Sequence, residues 1–317
     1  MIYKIVKSKF VPKIVGVIVS FFNKIIVAIV RLMPKAVVGI FSRKYIAGET
    51  LEEAVLQVKN LNSKGIYATM DVLGESIKNK REAIDAKEKC LEVLEIINKN
   101  NLKANLSLKP TQMGLNLDEN FAYEQIEQIV QKAKEINNFI RLDMEDSPYT
   151  DKTFNLLKRL RTKYDNVGVV VQAKLKRTYD DVNELNKIGT NYRLCKGIYI
   201  EPVAISYRDK QMIRDHYLKI LEAMLKNGNY VGIATHDEYL INESYKIIKQ
   251  MNVPKDKFEF QMLLGIREDL RDKINADGYK IRIYVPFGKD WYAYSIRRLQ
   301  ENPQIAGHIF RNIFSLR

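Results

Sequence analysis

Cysteine and histidine are scarce in this chain of 317 residues, with two of the first and three of the second. Cys90 and Cys195 form no CxxC pair or other metal-ligand spacing. That argues against a structural zinc site and a disulfide framework, and for a reducing, cytoplasmic compartment. Missing too are GxSxG, HExxH, GxxxxGK[ST] and GxGxxG, so serine-elbow hydrolysis, zinc hydrolysis and Rossmann-type dinucleotide binding lack their usual apparatus. No Lys/Arg-rich run or nucleic-acid motif accompanies the formal net charge of +14, and acids are interspersed throughout. A generally basic surface is favoured over nucleic-acid binding. Long hydrophobic runs are absent from the apolar N-terminal arm, whose longest uncharged stretch, 14–23, falls short of the roughly 20 residues of a spanning helix. No small-residue cleavage site follows it, and a signal peptide is not expected.

That arm, "VPKIVGVIVSFFNKIIVAIVRLMPKAVVGIF" at 11–41, is interrupted by Lys13, Lys24, Arg31 and Lys35. At helical spacing Lys13, Gly16, Ser20, Lys24 and Arg31 trace one narrow polar stripe. Such a helix packs into protein, the commoner outcome, or lies on an anionic membrane surface.

Past the arm, Thr50 can cap a helix that carries Glu53 at its third position. Short β-rich runs then alternate with helix-periodic segments such as 81–98 and 120–135. The runs are 67–72, 104–109, 139–144, 168–172, 192–196, 231–235, 258–262 and 280–285. Alternating β and α elements predict a parallel sheet, and eight repeats predict an α/β fold closed as a (β/α)8 barrel. Residue parity agrees. Thr69 and Asp71 oppose Met70 and Val72; Asn105, Ser107 and Lys109 oppose Leu106 and Leu108. Arg141 and Asp143 oppose Ile140 and Leu142; Lys257, Glu259 and Gln261 oppose Phe258 and Phe260; Arg282 and Tyr284 oppose Ile281 and Ile283. One apolar face under helices and one polar face toward a lumen produce this pattern.

Asp71, Lys109, Asp143, Gln172, Lys196, Thr235, His236, Asp237, Gln261 and Tyr284 all fall at or just past C-terminal strand ends. That rim is where barrel enzymes build catalysis, so an enzyme outweighs a scaffold. Two lysines there, Lys109 and Lys196, leave a Schiff-base aldolase open, although that chemistry needs a lysine desolvated or crowded by another cation. A non-enzymatic binder of membrane surfaces or nucleic acid is the third reading. The surrounding charge suits a zwitterion or a phosphate-bearing cofactor.

"YIAGET", "DVLGES", "SLKPTQMGL", "RLDMEDS", "RLCKGIYIEP", "ATHD", "FEFQMLLG" and "RIYVPFGKDWYAYSIRRLQEN" occur in this order from about residue 45 onward. The series resembles FAD-dependent proline dehydrogenases, both the single-function bacterial enzymes and the corresponding domain of bifunctional proline-utilisation proteins. The resemblance implies a distorted (β/α)8 barrel over 45–317 behind a helical arm at 1–44. It implies non-covalent FAD at the rim and oxidation of L-proline to Δ1-pyrroline-5-carboxylate, with hydride passing from proline C5 to flavin N5. By the same resemblance Lys109, Arg297 and Arg298 grip the proline carboxylate, while Tyr284, Leu263 and Tyr199 line the ring. Asp143 and Arg193 serve catalysis. Glu75, with Asp71, belongs to an ion pair that closes the site. Arg193, Lys196, Gly197 and Ile198 face the flavin and its diphosphate, and Met144, Gln172, Thr235, His236, Gln261 and Glu301 complete the FAD site.

Ile198 stands where the family usually has alanine, Lys174 where an aromatic is common, Leu264 in place of tyrosine and Pro110 in place of leucine. A chain of this length leaves no room for an aldehyde dehydrogenase domain after the barrel, so the imine passes to a separate pyrroline-5-carboxylate dehydrogenase. The family commonly delivers electrons to membrane quinones, which makes the basic arm a candidate for peripheral contact with the inner face of the cell membrane.

Overall fold

A computed structural model describes residues 35–74 and 77–301, with the backbone alone at 36–37, 40–41 and 297–301. The arm as far as residue 34 lies outside the described residues. Helices α1 (Lys35–Ser42) and α2 (Leu51–Ser63) lead into β1 (Tyr67–Val72). There follow α3 (Lys80–Lys99), β2 (Ala104–Leu108), α4 (Glu119–Glu135), β3 (Ile140–Leu142), α5 (Thr150–Arg161), β4 (Val167–Gln172) and α6 (Thr178–Asn186). The chain continues through β5 (Tyr192–Cys195), α7 (Lys210–Lys226), β6 (Val231–Ala234), α8 (Glu238–Gln250), β7 (Phe258–Leu263), α9 (Glu268–Ala276), β8 (Ile281–Phe287) and α10 (Trp291–Glu301). The strands close in sequence order, and β8 runs parallel to β1 from Tyr67↔Arg282 to Val72↔Phe287. The barrel forms one compact unit, Tyr45–Lys289, and α1 groups with α10 in another.

Local signals explain the helices. At α2 the Thr50 hydroxyl accepts from Glu53 N (3.3 Å) while the Glu53 carboxylate accepts from Thr50 N (3.0 Å), a reciprocal cap. In α3, Asn79 accepts from Glu82 N, and Ala83, Ala86, Cys90, Val93, Leu94 and Ile97 form the buried stripe. Three- and four-residue spacing places them all on the barrel side. Cys90 is buried, and burial pushes its thiol up to about 12.

Strand parity divides core from lumen. Met70, Leu106, Leu142, Leu194, Phe260 and Ile283 are buried in the layer between sheet and helices. Their neighbours Thr69, Ser107, Arg141, Arg193, Gln261 and Arg282 are buried too, but polar. Room for long polar side chains comes from small residues on neighbouring strands. Gly232 of β6 sits in register with Arg193 and Glu259, and a Cβ there would come within 2.4 Å of Gln261 Nε2. One expectation shifts: Lys257 is exposed in a 3-10 turn before β7, so the alternation starts at Phe258. The apolar Phe258 fixes that start by taking the buried place.

In the second unit, Trp291 lies 3.4 Å from where a Gly39 Cβ would stand, and Lys35 Nζ sits 5.5 Å from the Tyr292 ring centroid. Among the described residues, no helix is long and apolar enough to cross a membrane.

Candidate active site

Asp71 of β1 pairs in register with Ser107 of β2, and Lys109 follows Ser107 by two residues on the same face. Lys109 Nζ therefore reaches both Asp71 carboxylate oxygens, at 3.0 and 2.9 Å. Asp71 is wholly buried and Lys109 nearly so. Burial pushes the Asp71 carboxyl up, and the Lys109 ammonium opposes that push. Removing either partner would strand a buried charge.

Across the lumen, Asp143 is the hub. Its Oδ1 accepts from Ser107 Oγ (2.6 Å) and from Arg193 Nη1 (2.8 Å), and its Oδ2 accepts from Tyr284 Oη (2.7 Å). Arg193 is held on its other edge, where Nε donates to Gln261 Oε1 at 2.6 Å. Its guanidinium lies 5.2 Å from the Tyr284 ring centroid, within cation–π range. Gln261 Nε2 donates to Glu259 Oε1 (2.7 Å), which leaves no ambiguity in the amide's orientation. A carboxylate, a guanidinium and a phenol are thus locked together from just past β3 and from β5 and β8.

The rim of β4 to β7 has different chemistry. Gly197, at φ +98°, takes a backbone shape that other residues rarely adopt, and a Cβ there would lie 2.7 Å from Gln172 Oε1. Gln172 Nε2 donates to Glu145 O (3.0 Å), whereas its Oε1 is buried without a hydrogen-bond partner among the described residues. An orphaned buried acceptor costs about 1–3 kcal/mol, so this cradle fits a bound group that carries an N–H donor. Lys196 Nζ stands 3.3 Å from Asp237, which Arg214 also grips through two bonds of 2.9 and 2.7 Å. Burial would raise the Asp237 carboxyl, but Arg214 and Lys196 outweigh it and hold the group at about 2. His236 Nε2 accepts from Leu263 N (2.9 Å), placing the proton of the neutral ring on Nδ1.

A family profile described as "Proline dehydrogenase" matches residues 54–310. The chain belongs to the proline dehydrogenase family. It is 35% identical over 272 residues to proline dehydrogenase 1 of Bacillus subtilis (strain 168), covering 86% of this chain and 90% of that one. Identity to the proline dehydrogenase of Deinococcus radiodurans is also 35%, over 86% of this chain and 89% of that one. The crystal structure of proline utilization A from Bdellovibrio bacteriovorus inactivated by N-propargylglycine matches with a TM-score of 0.77 at 26% identity, over 83% of this chain and 32% of that one. Proline utilization A from Corynebacterium freiburgense, at 20% identity and TM-score 0.73, shares the fold.

Of the residues singled out in a proline dehydrogenase reading, Lys109 meets Asp71, and Asp143 meets Arg193 and Tyr284, as direct contacts. Met144 is buried after β3, Leu263 ends β7 and Thr235 Oγ1 accepts from Asp237 N. Ile198 and Tyr199 lie on the loop after β5, whose course is set by Lys174 Nζ donating to Tyr199 O at 2.6 Å. Glu201 clamps the same loop by accepting from Ser147 N and Oγ, at 2.8 and 2.6 Å. Glu75 and the side chains of Arg297, Arg298 and Glu301 lie outside the described residues. Ser107, Arg214 and Glu201 are contacts that sequence reasoning assigns no role. Ser107 shares the lumen parity of Lys109, which is a usable signal, whereas nothing in the helical pattern of α7 marks Arg214. The lysines also speak against a Schiff-base aldolase, since Lys109 and Lys196 each stand beside a carboxylate rather than in an apolar pocket or against another cation.

Proposed function

We propose that this chain oxidises L-proline at C5 to Δ1-pyrroline-5-carboxylate, with FAD held at the C-terminal rim of the barrel. The observation that carries the reading is the Asp143–Arg193–Tyr284 cluster beside the Lys109–Asp71 pair, in a chain of the proline dehydrogenase family. When bound, the flavin supplies a two-electron acceptor for hydride. Lys109 offers a cation to the substrate carboxylate, and Arg297 and Arg298 share that role on the strength of the resemblance and of guanidinium chemistry. Tyr284 presents its ring as a wall for the pyrrolidine, its tilt set by the bond to Asp143. Arg193, anchored from two sides, keeps a fixed positive charge in a buried setting, where fixed charge counts most. Gln172, Gly197, Lys196 and His236 hold the cofactor, and their donor and acceptor chemistry suits it. Alignment does most of the work, because no covalent nucleophile is required.

The proposal extends to a quinone as electron acceptor, a separate pyrroline-5-carboxylate dehydrogenase for the product, and contact of the 11–41 arm with anionic membrane. Liposome co-sedimentation with and without the arm tests the last point. The central test is optical. Purified protein should carry a flavin that denaturation releases and that excess L-proline bleaches without oxygen. Flavin absent, or still oxidised under proline, would overturn the assignment.

A further inference from the structure

Ser107 is absorbed by none of the roles above, although it is built into their centre. It lies in β2, is 1% exposed, and touches both halves of the Asp143–Arg193 ion pair. Its hydroxyl has one proton and two lone pairs to allocate. The shortest contact, 2.6 Å to Asp143 Oδ1, takes the proton, in preference to Arg141 O at 3.4 Å. The oxygen then accepts from Arg193 Nη1 at 3.2 Å. Arg193 Nη1 also donates to Asp143 Oδ1 at 2.8 Å, so serine, carboxylate and guanidinium close a three-membered ring of hydrogen bonds.

We infer that Ser107 is the positioning residue that sets the rotation of the Asp143 carboxylate and, through it, the Tyr284 hydroxyl. Without Ser107, Asp143 Oδ1 would keep Arg193 Nη1 as its donor, and the carboxylate could turn about its Cβ–Cγ bond and carry the Tyr284 contact with it. A second donor on Oδ1 stops that rotation and leaves Oδ2 aimed at Tyr284 Oη, 2.7 Å away. Arg193 is 7% exposed and Thr69, which accepts from its Nη2 at 3.5 Å, is fully buried. Solvent is therefore poorly placed to replace the lost hydroxyl, and charge-assisted bonds in such surroundings are the strong ones. The geometry acts at a distance from the substrate, as a support for groups that touch it.

This inference rests on the proline oxidation proposed above, and the test separates the two. Wild-type protein is first shown to bleach with L-proline; if it does not, that reading fails before Ser107 is at issue. Ser107→Ala, with folding checked by thermal melting, should then lower kcat/KM for proline by roughly 10- to 100-fold, the loss expected for a hydrogen bond to a charged group. Ser107→Thr restores the hydroxyl and should recover most of the loss. If the alanine variant does not fold, Ser107→Cys, nearly isosteric with a weaker donor, takes its place. The deciding measurement is a double-mutant cycle with Tyr284→Phe. Both side chains act through Asp143, so their losses should multiply to clearly less than the product of the single effects. Full multiplication, or a Ser107→Ala enzyme within about twofold of wild type, overturns the inference, since independent contacts simply add in free energy.

Discussion

Along three barrel strands, a step of two residues leads from one charged layer of the lumen to another with different properties. In the lower layer, Glu259 accepts from Arg282 Nε (2.6 Å) and Nη2 (3.1 Å), from Lys280 Nζ (3.2 Å) and from Gln261 Nε2 (2.7 Å). Arg282 spends its remaining nitrogen on Ala68 O, and Arg141 spends its own on Val169 O and Asn191 O. One step up, Gln261, Tyr284 and Asp143 meet Arg193 and Ser107. The lower layer spends most of its donors on Glu259 and on backbone carbonyls of neighbouring strands, which makes it a plug. The upper layer is near the rim, and its Asp143 side chain remains 13% exposed. Charge buried for stability and charge held for chemistry thus differ less in residue type than in what lies above them.

The largest expected effect tests the plug. Glu259→Gln strands the buried Arg282, and breaking a buried pair in this way costs about 3–5 kcal/mol. Urea unfolding should show that loss, and a change below about 1 kcal/mol would mean the layer is not structural.

Acid should reach the same group. Burial alone would raise the Glu259 carboxyl, but Arg282 and Lys280 hold it down at about 2, from 4.5. Being depressed, it contributes stability that is complete above its unfolded value and is lost as pH falls from about 4.5 toward 2. The contribution is on the order of 3 kcal/mol. Unfolding measured across that window should flatten in Glu259→Gln.

Asp143→Asn carries the comparison to the upper layer. The amide keeps the shape but removes the counter-charge to Arg193 and disturbs Tyr284. Proline turnover should fall about 100-fold through misplacement alone, and the urea midpoint should fall as well, because the buried Arg193 loses its carboxylate. Wild-type turnover in a folded Asp143→Asn would erase the distinction between the layers.

The smallest effect is expected outside the lumen. Arg81 and Asp85 pair at 3.1 Å on α3 with side chains 81% and 50% exposed. Arg81→Ala should change unfolding free energy by less than about 0.5 kcal/mol, and proline turnover not at all.

Much of the barrel is readable before any coordinates. Strand cores, reciprocal capping at Thr50 and Glu53, and lumen parity from Thr69 to Tyr284 depend on local periodicity, which a chain carries in its own order. Reading fails at edges, as at Lys257, where a charged residue continues an alternation that the buried Phe258 actually begins. It fails again at Arg214, whose partner Asp237 lies 23 residues away on another element.

The order of residues therefore determined that this chain makes alternating strands and helices, that one face of each strand is polar, and that reactive groups gather at strand ends. Tertiary structure alone decided which of those groups meet. Ser107 and Arg193 stand 86 residues apart, and Asp143 and Tyr284 stand 141 apart. Their hydrogen bonds exist because closing the sheet turns every lumen side chain toward a common axis. A space left by Gly232 is taken by Gln261, which holds Arg193. Periodicity fixes the direction of a side chain relative to its own strand, but a partner across the lumen is set by the curvature and register of all eight strands together.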